Sequence, residues 1–283
     1  MASTVLKIGG ELIGRPDDLL RVAREIVRLA LAGPLVVVHG GGRTIDAELT
    51  ARGIPTRAVD GVRVTDTATL DVVVSVLAGL VNTRLVAAVS AAGGRAVGLT
   101  GADAFIGLVE KAPLHTSTAG TAVDLGLVGA PIPAGAPALL VELLAHGYVP
   151  IVASIGASID GALYNVNADT WAAHLAVALG ARRLLVAGGT PGVLDAGGRT
   201  IPAAGPDAVA RLVESGQANA GMIAKLVACR QAAAAGVPEV RIVDGRGAFG
   251  SGGATGTSIA ASDDRPEPST LPVDEGRRGA SRS

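Results

Sequence analysis

Only three of the 24 basic residues in the chain are lysines, Lys7, Lys111 and Lys225; every other positive charge is an arginine. Lys7 lies inside an apolar run and is separated by one residue from Gly9 and Gly10. An ammonium fixed at the end of a strand beside glycines is suited to an anion, a phosphate above all. The plain alternative is a strand-edge lysine whose tip reaches water. Lys225 falls in the first turn of a predicted helix, in Asn219-Ala220-Gly221-Met222-Ile223-Ala224-Lys225. A cation there opposes the helix dipole by about 0.3–1 kcal/mol unless something compensates it. A bound polyphosphate would compensate; an exposed lysine on a helix flank is the competing reading.

Two glycine-rich turns, Gly9-Gly10 and Gly40-Gly41-Gly42, each follow an apolar run and precede a helix. Glycines in that position let backbone N–H groups converge on an anion, although such turns also occur for purely steric reasons. Neither has the spacing of a P-loop or of a dinucleotide fingerprint, so hydride chemistry has little support. Asn165-Val166-Asn167-Ala168-Asp169 concentrates two of the chain's four asparagines just ahead of a helix. Helix capping accounts for one or two of these residues but not for all three. Arg63 is a candidate clamp for a carboxylate, or else a solvated charge in a turn. His39 could cap its turn or orient a neighbour. Cys229 and the four histidines lack ligand spacing, so no metal site is expected.

The elements that must hold these residues follow from hydrophobic spacing. Short β-branched runs alternate with amphipathic stretches, which predicts parallel strands joined by crossover helices and hence an α/β fold. Strands are expected at Thr4–Ile8, Leu35–His39, 97–99, Val149–Ala153, 183–187 and 240–243. Helices are expected from Pro16 to the Gly33-Pro34 stop, and over 44–52, 66–92, 138–146, 168–179, 207–215 and 222–235. Residues 100–137 read as small antiparallel strands and loops, and the stretch from 154 to Asn167 as irregular.

With 283 residues the chain is long enough for two lobes or one large domain. Hydrophobic residues make up 49% but aromatics only 2%, so the core is aliphatic and offers no stacking platform for nucleic acid. A net charge of −1, with no basic stripe, argues against nucleic acid and anionic membranes as partners. Charged and glycine residues interrupt every apolar run before the ~20 residues that a membrane span requires. No export signal opens the sequence, and a single cysteine fits a reducing cytoplasm. Residues 261–283 are polar and are expected to be disordered.

Taken in order, Lys7-Ile8-Gly9-Gly10, His39-Gly40-Gly41-Gly42, Gly61-Val62-Arg63-Val64-Thr65, Asp124-Leu125-Gly126-Leu127-Val128-Gly129, Asn165-Val166-Asn167-Ala168-Asp169 and Gly221-Met222-Ile223-Ala224-Lys225 resemble the acetylglutamate kinases of the amino-acid kinase family. The likeness covers about residues 4–260. It implies a three-layer αβα sandwich around a mainly parallel sheet. Residues 1–170 would form an acetylglutamate-binding and dimerisation lobe, 171–260 an ATP-binding lobe, and 261–283 the tail. The implied reaction is ATP-dependent phosphorylation of the γ-carboxylate of N-acetyl-L-glutamate in arginine synthesis. Lys7 and Lys225 would stabilise the transferring phosphoryl group, and Asp169 would hold both ammonium groups. Gly41, Gly42, Arg63, Asn165 and Asn167 would bind acetylglutamate; Gly9, Gly10, Gly189, Thr190, Gly192, Gly221 and Met222 would bind ATP. Mg²⁺ would arrive on the ATP phosphates.

Gly189 stands where the family usually has an aspartate, which bears on how nucleotide is anchored. Two other readings compete: a kinase for a related amino-blocked, carrier-linked glutamate or aminoadipate, and a non-catalytic regulatory relative. Lys7 comes too early for the N-terminal helix of the arginine-inhibited hexamers, and 247–256 does not match their distinctive segment. The expected species is a homodimer insensitive to arginine. Light scattering should give a mass near two chains of 27.9 kDa, and micromolar arginine should leave activity unchanged.

Overall fold

All residues of the first two strands, β1 (Thr4–Ile8) and β2 (Leu35–His39), are buried, as strands covered on both faces must be. The computed structural model describes residues 3–117, 120–133, 135–214, 219–249 and 255–262; the expected disordered tail lies almost wholly outside these. Helix α1 (Pro16–Ala32) crosses between the two strands. Pro16 opens it, Asp17 and Asp18 complement the dipole of its first turn, and Val22, Ala23, Ile26 and Leu29 form its buried stripe. Helix α2 (Gly42–Ala51) follows β2, and a small hairpin of β3 (Ala58–Val59) and β4 (Val62–Arg63) comes next.

Asp66 caps α3 (Thr67–Val74), accepting from Thr69 N–H at 2.8 Å. The helix runs on through a π-helical segment (Ser75–Val81) into α4 (Asn82–Ala91) and then β5 (Ala96–Thr100). The predicted small antiparallel region holds β6 (Val109–Lys111) paired with β9 (Gly129–Pro131), and β7 (His115–Thr116) paired with β8 (Ala122–Val123). Helix α5 (Ala138–Ala145) leads into β10 (Val149–Ala153). The stretch expected to be irregular instead contains a hairpin, β11 (Ile155–Ala157) with β12 (Leu163–Asn165). Then follow α6 (Ala168–Ala178), β13 (Arg183–Gly188), β14 (Ala203–Ala204), α7 (Pro206–Glu214), α8 (Ala220–Ala234), β15 (Glu239–Asp244) and β16 (Gly256–Ile259).

One eight-stranded sheet, ordered β14-β16-β15-β13-β1-β2-β10-β5, joins both halves of the chain. Its pairings are parallel except that of β15 with β16. Strand alternation divides the core in two. Val5, Val36, Val38, Leu184 and Val186 face α5, α6 and α8, whereas Leu6, Leu35, Val37, Leu185 and Ala187 face α1 and α4. Helices therefore cover both faces, giving three layers. One helical run, Thr67–Ala91, is long and apolar enough to cross a membrane by length and composition, which the sequence reading did not anticipate. Its Leu70, Val73, Leu77, Leu85 and Val89 are buried in the core.

A wholly buried imidazole joins β2, α4 and β10. Asn82 Nδ2 lies 3.0 Å from His39 Nε2 and donates to Ile151 O at 2.8 Å, and His39 Nδ1 lies 3.2 Å from Gly40 O. The amide nitrogen can only donate, so Nε2 accepts and Nδ1–H donates to Gly40. Burial holds His39 neutral, pushing its pKa from 6.5 down to about 4. The unfolded chain therefore binds a proton between these values that the folded chain refuses, and stability falls as pH drops through that window. Denaturant unfolding should show a loss of about 3 kcal/mol from His39 between pH 7 and pH 4, absent from His39→Gln.

Candidate active site

Lys7 shares its face of β1 with Val5, the face that α6 and α8 cover. Asp169 occupies the first turn of α6, and Lys7 Nζ lies 2.9 Å from its Oδ1, with the two side chains only 6% and 8% exposed. The contact is a charge pair rather than an aligned hydrogen bond, for Oδ1 has no hydrogen-bond donor among the described residues. Asn167 caps α6, accepting from Asp169 N–H at 2.9 Å and Thr170 N–H at 3.1 Å. That cap fixes the backbone from which the carboxylate projects. Asn165 instead donates from Nδ2 to Thr65 Oγ1 at 3.1 Å, tying β12 to the chain just beyond β4.

Lys225 lies in α8, in its second turn rather than in the first as expected. Asn219 caps α8 by accepting from Met222 N–H at 2.9 Å, and Lys225 Nζ donates to Gly221 O at 3.1 Å rather than pairing with Asp169. Helices α6 and α8 nonetheless pack against each other. Burial raises the Cys229 thiol pKa, Asp169 raises it further, and Lys7 and Lys225 offset part of the rise. Lys225 also reaches the end of β13: its Cε would lie 3.4 Å from a side-chain carbon at Gly188.

Two glycine turns form the floor. A side-chain carbon at Gly10 would lie 2.9 Å from Gly41 Cα, and one at Gly41 would lie 2.8 Å from Leu77 Cδ2. The turns after β1 and β2 thus touch backbone to backbone, a contact that any larger residue would force apart. Above them is a cavity of about 260 Å³. Lys7, Gly9, Gly10, Gly41, Gly42, Arg63, Asn165, Asn167 and Asp169, all expected from the sequence, line it. Glu11, Leu77 and Ser154 line it as well and were missed, because no spacing rule marks them, and Val128 joins them from the 124–129 motif. Gly189, Thr190, Gly192, Gly221, Met222 and Lys225 lie outside this cavity, the first three on the loop after β13 and the last three in the opening turns of α8.

Arg63 donates from Nη2 to Asp46 Oδ1 at 2.6 Å, while its buried Nη1 has no partner among the described residues, leaving a donor for a ligand carboxylate. The β3–β4 turn also bridges to α8. Gly61 has φ +79°, and a side-chain carbon there would lie 2.6 Å from Ala220 Cβ. Neither His39 ring nitrogen is left to act as a base, since one is engaged by Asn82 and the other by Gly40. The arrangement can hold and neutralise two anions, but it offers no activated hydroxyl or thiol at His39.

Residues 3–244 match the amino acid kinase family. The acetylglutamate kinase of Novosphingobium aromaticivorans is 40% identical over 252 residues, covering 86% of this chain and 83% of that protein. The acetylglutamate kinase of Halorhodospira halophila is 42% identical over 252 residues, covering 86% and 82%. Among solved structures, a Streptococcus mutans protein superposes with a TM-score of 0.77 at 29% identity, covering 92% of this chain and 99% of its own.

The buried pair can be tested without substrate. Asp169→Asn leaves the Lys7 ammonium buried without its counter-charge, and should lower the unfolding free energy by about 3 kcal/mol in denaturant titrations at pH 7. A change within error of zero would mean that the pair is not held as described.

Proposed function

The chain belongs to the amino acid kinase family, and from that premise we propose how its cleft works: it transfers the γ-phosphoryl group of ATP to the side-chain carboxylate of N-acetyl-L-glutamate, a step of arginine biosynthesis. The observation that carries this reading is the buried Lys7–Asp169 pair at the mouth of two touching glycine turns.

The chemistry asks for little else. With a pKa of about 4.3 the acceptor carboxylate is already ionised at neutral pH, so no general base is needed. The barrier lies in bringing two anions together and in spreading charge over the transferring group. A carboxylate oxygen forms the new bond to phosphorus, the bond from the γ-phosphorus to its bridging oxygen breaks, and ADP leaves with the electron pair. Lys7, oriented by Asp169, faces the transferring group from the acceptor side, and Lys225 from the nucleotide side. Arg63, with its unpaired Nη1, holds an acceptor carboxylate, and Gly41, Gly42, Asn165 and Asn167 shape the pocket around it. Gly9, Gly10 and the loop Gly189, Thr190 and Gly192, with Gly221 and Met222, receive ATP.

Mg²⁺ enters as the counter-ion of the nucleotide. The described residues form no cluster of three histidine, cysteine or acidic ligands, a donor set that suits an ion held chiefly by phosphate and water. Residues 1–170 then serve the acceptor and the dimer contact, and 171–260 the nucleotide, in a cytoplasmic homodimer.

The deciding experiment is ADP release from Mg-ATP with N-acetyl-L-glutamate, run beside glutamate, N-acetylaspartate, N-acetylaminoadipate and no acceptor. Turnover with acetylglutamate alone is expected; turnover with another acceptor, or with none, would overturn the assignment. Lys7→Ala and Lys225→Ala should each lower kcat at least about 10²-fold, the scale of losing one preorganised charge-stabilising donor. Near-normal kcat in either variant would remove that lysine from the mechanism.

A further inference from the structure

One charged side chain in the cleft has no part in the reaction as proposed. Glu11 lies in the 3-10 turn Gly10–Leu12, directly after β1. Its carboxylate folds back over Gly9 so closely that a side-chain carbon at Gly9 would meet both of its oxygens. It therefore occupies room that only glycine leaves. Oε1 accepts a hydrogen bond at 3.0 Å from the backbone N–H of Gly189, a residue 178 positions away at the end of β13. Two cationic side chains flank the same spot. Lys225 Cε would lie 3.4 Å from a side-chain carbon at Gly188, and Arg246 Nη2 3.4 Å from one at Gly189. Glu11 Oε1 would lie 3.8 Å and 3.7 Å from those two points.

A backbone N–H at a strand end, glycines without side chains and two nearby cations make up the donor set that phosphate oxygens seek. Here the chain's own carboxylate fills it. We propose that Glu11 is an internal anion that holds the nucleotide-phosphate site in the free enzyme and must be displaced when nucleotide binds. The proposal rests on the kinase reading above and adds a control to the same site. A carboxylate and a polyphosphate cannot share this space without strong like-charge repulsion. The apparent nucleotide affinity is consequently lowered by the fraction of molecules in which Glu11 sits in the site. The same competition weakens ADP as well as ATP, since both bring phosphate to the Gly189 N–H.

The test is binding rather than turnover. ATP and ADP affinities are measured by calorimetry for the wild-type protein, Glu11→Gln and Glu11→Ala, each with and without Mg²⁺. Gln keeps the shape and removes the charge, and Ala empties the site, so a folding defect in one variant leaves the other informative. Both variants should bind ATP and ADP roughly tenfold more tightly than wild type, the scale of one charge-assisted hydrogen bond no longer to be broken. Unchanged or weaker affinity would overturn the proposal. Weakening confined to Mg²⁺-containing samples would place the carboxylate on the metal instead, and would overturn it equally. If no form of the protein binds nucleotide while acetylglutamate still binds, the kinase reading itself fails and the proposal falls with it.

Discussion

A lysine ammonium held almost without water inside a parallel sheet is the constraint on which the site depends. Removing a cation from water costs several kcal/mol, and an opposite charge at contact distance is what makes it tolerable. Lys7 obtains that partner only because α6 begins where it does, and α6 begins there because Asn167 caps its first turn. Strand β1, the capping asparagine and the acidic residue two positions later are therefore one device. Its product is a positive charge whose direction is fixed before any ligand arrives, which is the form of electrostatic stabilisation that contributes most to catalysis.

The two glycine turns serve the same end from below. Gly10 and Gly41 meet backbone to backbone, and His39 holds the second turn through the carbonyl of Gly40 while Asn82 holds His39. No side chain separates Gly10 from Gly41 at this contact. The arginine opposite is placed with equal care, for Asp46 takes Nη2 of Arg63 and Nη1 is left without a partner among the described residues.

Much of this is legible in the sequence, and what is not has physical reasons. Strands β2 and β10 are short apolar stretches, and β1 is one broken only by Lys7, so their positions are visible. The scarcity of lysine singles out Lys7 and Lys225, and the crowding of asparagine singles out residues 165–169. The β11–β12 hairpin escapes because Gly156 and Ala157 carry too little side chain to show alternation, and β16 escapes as a four-residue strand in which glycine, threonine and serine precede a single isoleucine. The π-helical segment keeps the apolar texture of the helix around it. Asn82 with His39, Asp46 with Arg63 and Glu11 with Gly189 are partnerships across 43, 17 and 178 residues. No local period records such distances, and only the closed fold brings their members together.

The position of β1 also shapes how the molecule is made. It is at the centre of the sheet, yet one of its two neighbours, β13, begins 179 residues later in the chain, at Arg183 against Thr4. During synthesis the β13 side of this apolar strand stays unpaired until that later segment has emerged, an interval of roughly 10 to 35 s at ordinary elongation rates. An open, apolar strand edge is a template for pairing with other chains. The geometry that buries a lysine at the heart of the finished protein thus leaves its nascent form dependent on the company it keeps at the ribosome.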